Sequence, residues 1–364
     1  MDFDINKTNM TKSIAIVLML MHHLFFSATM FCEQYGTYSK IFEWQSVYIF
    51  SLVAKICVGM FVFLTAYGIT KSYNISLVER KAYDKTSIEI FCFNRYIKLL
   101  FNFEFVYVLV FVTSFLREGG LSGVYGVDGW KSGVIYIVFD ALGLSDYFQM
   151  PTLNETWWYM SLAVFNVFII PLMILAYKKV GRVTIVIAAI VGIFDFSGMI
   201  SYLFCIVIGI WCAEEKIFER CYKIRFCKIQ YLNRLVKLII NIWIFVVLIE
   251  LNIRTVLEYS YYTDAIGAVI IGIFCMELSE ISQVSVKIMG FIGKHSMNIF
   301  LIHTILFEYY FTEFIYGPKN WFLILLLLLG MSLLCSVVIE WLKKVLHYPQ
   351  VIKRVSLFVD KKFS

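Results

Sequence analysis

Two adjacent histidines, His22 and His23, stand deep inside the apolar stretch Lys12–Phe26, K-S-I-A-I-V-L-M-L-M-H-H-L-F-F. At about 1.5 Å per residue, His23 lies about 16 Å along a helix from Lys12, near the middle of a hydrocarbon core about 30 Å thick. Ionisable groups at that depth are costly, and they point first to a substrate path or a catalytic centre. Imidazole titrates near neutrality and is the usual base for taking a proton from a hydroxyl. The competing reading is a histidine hydrogen-bonded between packed helices. Neighbours on a helix sit about 100° apart, so one ring can face a cavity while the other packs or orients it.

Arg95 and Lys98, in N-R-Y-I-K-L-L, are three residues apart and share a helix face. Such a pair can hold a phosphate-rich donor entering from the cytosol, with Lys12 adding to the same field. It can equally be a snorkelling interfacial anchor. Asn102 and Glu104 lie a turn or two deeper, and a carboxylate there can orient a histidine or a substrate hydroxyl. Lys55 is a further intramembrane cation, near enough to the outer half of its span to snorkel outwards. His303, in N-I-F-L-I-H-T, is another deep histidine, on a helix whose cytoplasmic end is marked by Gly293-Lys294-His295-Ser296. In Asn154-Glu155-Thr156-Trp157-Trp158-Tyr159 the tryptophans read first as an interfacial aromatic belt, and second as rings that stack on a sugar.

The elements that position these residues are membrane helices. Of 364 residues 60% are hydrophobic and 16% charged, with a mean hydropathy of +0.78; a soluble domain carries about 25% charged residues. Apolar runs at about 12–31, 47–71, 92–116, 157–177, 183–197, 199–214, 235–252, 262–279, 287–311 and 320–343 predict an all-α, polytopic membrane protein of about ten spans. The acidic start M-D-F-D-I-N-K lacks signal-peptide features, so the first span stays in the membrane. With both termini cytoplasmic, Lys and Arg cluster inside (Lys71, Arg80, Arg95, Lys178, Arg182, Lys216 to Lys237, Lys343 to Lys362), whereas outside segments hold only Lys40, Arg117, Lys131, Arg254 and Lys319. Counting 132–145 as an eleventh span would put the basic loop Glu214–Lys237 outside. Residues 117–156 therefore read as an external loop with a short interfacial or re-entrant helix. Residues 1–346 read as one membrane domain and 347–364 as a short basic cytoplasmic tail. The net charge of +6 reflects topology rather than nucleic-acid affinity. Nine cysteines, most inside apolar runs, show no metal spacing and suggest neither a zinc site nor a disulfide framework.

Together these pieces resemble the membrane acyltransferase 3 family, which includes bacterial O-acetylases. Its first helix carries a basic residue and, eleven positions later, a histidine; here Lys12 leads to His23, leaving His22 as the extra neighbour. A second-helix element ending in Ser-Gly-aromatic-x-Ile is similar to Thr65-Ala66-Tyr67-Gly68-Ile69, with Thr and Ala in place of Ser and Gly. Its Arg-x-x-Arg resembles Arg95-Tyr96-Ile97-Lys98, where Lys keeps the charge but loses the bidentate fork. The Trp157-Trp158-Tyr159-Met160 stretch and the run Gly293–His303 also look like the family's. The resemblance, over about 12–345, implies transfer of an acyl group, usually acetyl from acetyl-CoA, to a hydroxyl of a polysaccharide, peptidoglycan or lipid-linked glycan at the plasma (inner) membrane. It implies His23 as base with His22 and Glu104 beside it, Lys12, Arg95 and Lys98 at the donor, Trp157, Trp158 and His303 at the acceptor, and no metal. The rival class is a transporter or flippase relaying protons through buried His and Glu; no paired-repeat pattern or broken-helix pair supports it. A glycan polymerase would carry a large Arg-rich external loop, and 117–156 has only Arg117 and Lys131.

Overall fold

The first helix begins well before the apolar run. Asp4 accepts hydrogen bonds from the backbone N–H groups of Asn6 and Lys7 (3.0 and 3.1 Å) and an ion pair from Lys7 Nζ. This N-cap starts α1 at Ile5, so α1 (Ile5–Phe25) carries two polar turns ahead of Lys12. The computed structural model describes residues 2–26, 44–80, 85–116, 119–194, 198–254 and 260–363. Residues 27–31 of the first expected span, Cys32, Lys40, Arg117 and Ser197 lie outside them.

All regular structure among the described residues is helical: α2 (Trp44–Val53), α3 (Ile56–Arg80), α4 (Lys85–Thr113), α5 (Gly120–Tyr125), α6 (Trp130–Ala141), α7 (Trp158–Val180), α8 (Val183–Ile193), α9 (Leu203–Glu214), α10 (Ile217–Lys223), α11 (Gln230–Arg254), α12 (Ser260–Ile281), α13 (Gln283–Lys294), α14 (Ser296–Thr304), α15 (Thr312–Tyr316), α16 (Trp321–Val345) and α17 (Tyr348–Phe363). Among the described residues, five segments are long and apolar enough to cross a membrane: Ser46–Ser76, Ile88–Leu116, Glu155–Val180, Gln230–Arg254 and Trp321–Val345. A sixth results if Gly198–Glu214 and Ile217–Lys223, bent by 60°, count as one. A 25-residue helix such as α11 is about 37 Å long, enough for a core of about 30 Å. Ile239, Ile242, Trp243 and Val246 project from it exposed, as a lipid-facing stripe would. The 12-residue α6 is about 18 Å long, too short to span.

The expected run 287–311 is not one helix. It breaks at His295 between α13 and α14, and α14 passes into a π-helical segment, Ile305–Tyr310. Helix α13 is amphipathic and packs closely along α1; a Cβ on Gly293 would come 1.8 Å from the Asn9 carbonyl oxygen. Gly293→Ala is expected to destabilise the protein by about 1–3 kcal/mol or more, because backbone rather than a flexible side chain must yield. A lower thermal midpoint in detergent checks this.

Two compact units divide the chain, and each is described by itself. The first comprises Met1–Ser72, Leu172–Met297 and Glu313–Gly330. In it Phe3 stacks on Phe218 (4.2 Å) and meets the edge of Tyr67, while Gly209 lets α9 approach the backbone of α3. The second comprises Tyr73–Pro171, Asn298–Thr312 and Met331–Ser364. Here α17, the expected tail, is a helix laid on α4: Tyr348 donates to the Phe101 carbonyl (2.9 Å) and Asn94 to Asp360 (2.7 Å).

Candidate active site

Helix α1 sets the geometry of Lys12, His22 and His23, all in the first unit. Eleven residues at about 100° each come within about 20° of three full turns, so Lys12 and His23 share a face about 16 Å apart. Both side chains are half-buried. His22 lies on another face and is buried; its Nδ1–H donates to the Ser51 carbonyl (2.8 Å), and its ring stacks on Phe26 (4.8 Å). The His23 ring meets the His22 ring edge-on at 5.2 Å. One histidine is thus fixed by the backbone of α2 and supports the other.

The remaining expected site residues belong to the second unit. Arg95 and Lys98 sit on α4. The Arg95 guanidinium lies over the Phe91 ring (5.1 Å), and its Nε is buried with no hydrogen-bond partner among the described residues. No carboxylate pairs with Arg95 or Lys98 among those residues, an arrangement that suits an anionic ligand. Asn102, in contrast, is used structurally: it donates to the Lys98 carbonyl (2.7 Å) and accepts from Lys343 (3.1 Å). Glu104 is half-buried on α4.

Trp157 and His303 are carried by neighbouring elements. Asn154 and Thr156 exchange hydrogen bonds with the Thr304 hydroxyl (2.8 to 3.1 Å), and Trp157 Nε1–H donates to the Leu301 carbonyl (3.0 Å). His303, the next-to-last residue of α14, is fully buried; its Nδ1–H points to the Phe300 carbonyl (2.7 Å), and the π segment begins two residues later. Such segments occur often at functional sites. Trp157 packs edge-on against Phe103 (5.1 Å), so it is a wall, whereas Trp158 is half-exposed.

Both tryptophans line a cavity of about 250 Å³ that lies wholly in this unit. Its floor depends on Asp140, a buried carboxylate at the end of α6 that hydropathy alone does not single out. Asp140 accepts from the Tyr125 hydroxyl (2.5 Å), the Leu153 N–H (2.9 Å) and the Ser145 hydroxyl (3.1 Å). Burial holds its carboxyl above the usual carboxylate range, against those three donors. Asp140→Ala leaves all three donors without their acceptor, at about 1–3 kcal/mol each. The 142–157 loop is expected to become sensitive to limited proteolysis while the membrane helices stay intact.

Two charged groups escaped the sequence reading. Asp264, buried on α12, lies within electrostatic reach of Lys55, which also acts on His22. A Cβ on Gly59 would come 2.5 Å from the Asp264 Cβ, so Gly59 makes room for it. Glu277, also on α12, is fully buried between Arg234 (2.8 Å) and Lys237 (2.9 Å) of α11, with Glu280 3.2 Å from Arg234. Among the described residues no three His, Cys, Asp or Glu side chains are placed to hold a metal ion.

No curated protein and no solved structure matches the chain. A model of the acyltransferase domain does, over residues 6–341, in one match that runs through both units. On that match, and with apolar helices of spanning length, the chain is a multi-pass membrane protein that belongs to the acyltransferase 3 family.

Proposed function

We propose that this protein is an O-acyltransferase of the plasma (inner) membrane, with about ten spans and both termini cytoplasmic. It moves an acetyl group from acetyl-CoA to a hydroxyl of a cell-surface glycan or glycolipid. The observation that carries this reading is the half-buried His23, three turns from Lys12 on one face of α1 and steadied by a backbone-anchored His22. In this reading His23 takes the acceptor's hydroxyl proton as the oxygen attacks the thioester carbonyl, the carbon–sulfur bond breaks, and the CoA thiolate leaves. Arg95 and Lys98, free of carboxylate partners among the described residues, bind donor phosphates, with Lys12 assisting. Glu104 and His303 are weaker members, as orienting groups for hydroxyls, and Trp157 and Trp158 belong to the acceptor side.

The test is mass spectrometry of cell-surface glycans from cells with and without the gene. Acetyl-sized mass increments that disappear with the gene, and return with wild type but not His23→Ala, are the expected result. Unchanged glycans would leave the reading without its reaction.

A further inference from the structure

The cavity behind α6 has a chemistry of its own. Asp140, Asp146 and Glu155 line it, and no Lys, Arg or His does. Asp146 and Glu155 are exposed at its rim and pair with no cation among the described residues. Gln149, also lining it, sits in the left-handed region (φ 53°), which holds the rim in a tight turn after Asp146–Phe148. Trp158 contributes a half-exposed aromatic surface beside these acceptors. At about 250 Å³ the space falls below drug-sized pockets of about 300–1,000 Å³ and fits one ring rather than an oligomer.

We propose that this cavity is a recognition subsite for a single uncharged sugar ring, and that its carboxylates exclude anionic sugars. An aromatic face beside carboxylate acceptors suits a ring with an apolar C–H side and a hydroxyl edge. Carboxylates take hydrogen bonds from hydroxyls in charge-assisted form. A uronate or sugar phosphate would meet the carboxylates of Asp146 and Glu155 with no cation lining the cavity to compensate. The buried Asp140 shapes the floor through its three donors, while Asp146 and Glu155 face the ligand. That the ring belongs to the acyl acceptor rests on the acyl-transfer reading; the binding chemistry does not.

The experiment is tryptophan-fluorescence titration of the detergent-solubilised full chain, with no acyl donor present. The probes are the methyl glycosides of glucose, galactose, mannose and N-acetylglucosamine, each compared with methyl glucuronide. At least one neutral glycoside is expected to quench by about 10 mM, ten times a dissociation constant of about 1 mM, and glucuronide to bind at least about tenfold more weakly. Asp146→Asn/Glu155→Gln, both at the exposed rim, is expected to narrow that gap by about tenfold. Trp158→Phe is expected to remove the quench, with size-exclusion behaviour confirming the fold of each variant. The proposal is overturned if no neutral glycoside quenches, if glucuronide binds as well as the neutral probes, or if the double variant leaves their ratio unchanged. Because no donor is used, failure of acyl transfer leaves this result standing, and failure here leaves acyl transfer standing.

Discussion

Purified His23→Ala protein is expected to transfer acetyl groups about 10²–10⁴-fold more slowly than wild type, the usual contribution of a positioned general base. The same assay on His22→Ala is expected to show a smaller loss, about tenfold. His22 donates one hydrogen bond to the Ser51 carbonyl, and such a bond contributes about 0.5–1.5 kcal/mol. Its removal lets the His23 ring wander but leaves the base in place. The asymmetry between neighbours is the informative part. Wild-type rates for His23→Ala, or a larger loss for His22→Ala, would reassign the base.

Glu277→Ala is expected to lower stability by about 3–5 kcal/mol. Breaking a buried pair leaves its partner charges uncompensated, and here two cations share one carboxylate. Arg234 keeps Glu280 (3.2 Å) and the Tyr222 hydroxyl (2.7 Å), so the loss falls mainly on Lys237, whose other partners are the Cys221 and Tyr222 carbonyls. Replacing Arg234, Lys237 and Glu277 together by methionine is expected to restore much of the lost stability, since well-packed apolar residues often substitute for buried ion pairs at little cost. Thermal midpoints of the single and triple variants in detergent check both statements. A single variant as stable as wild type would show that the network is not held closed by Glu277.

Hydropathy made the long helices legible because a span needs about 20 apolar residues and little else in a sequence looks like that. Where side chains, not hydropathy, decide the structure, the reading stopped short. Asn6 to Thr11 do not look like membrane helix, yet the Asp4 cap starts α1 there; an aspartate just ahead of the apolar stretch was the available signal. Residues 287–311 read as one apolar run, but the approach of Gly293 to Asn9 fixes α13 along α1 and the chain turns at His295. Arg234 and Lys237 passed as positive-inside anchors because their partner, Glu277, lies inside an apolar helix. The matching three-residue spacings, 234/237 and 277/280, were the clue. Asp140 was hidden in a stretch read as a short interfacial or re-entrant helix of an external loop, and its burial depends on Tyr125, Ser145 and Leu153, which converge through tertiary folding. At the candidate site, the distinction between a deep pair of histidines and a fixed His22 beside a half-buried His23 required Ser51, on a helix that no sequence spacing ties to α1.

Titration of acetyl-CoA into the detergent-solubilised wild-type protein, by calorimetry, bears most directly on the acyl-transfer reading. Saturable binding is expected, weakened by added salt as phosphate contacts are screened, and weakened at least about tenfold in Arg95→Ala/Lys98→Ala, since charged hydrogen bonds contribute about 1.5–3 kcal/mol each. No binding to the wild type, or equal affinity in the double variant, would contradict it.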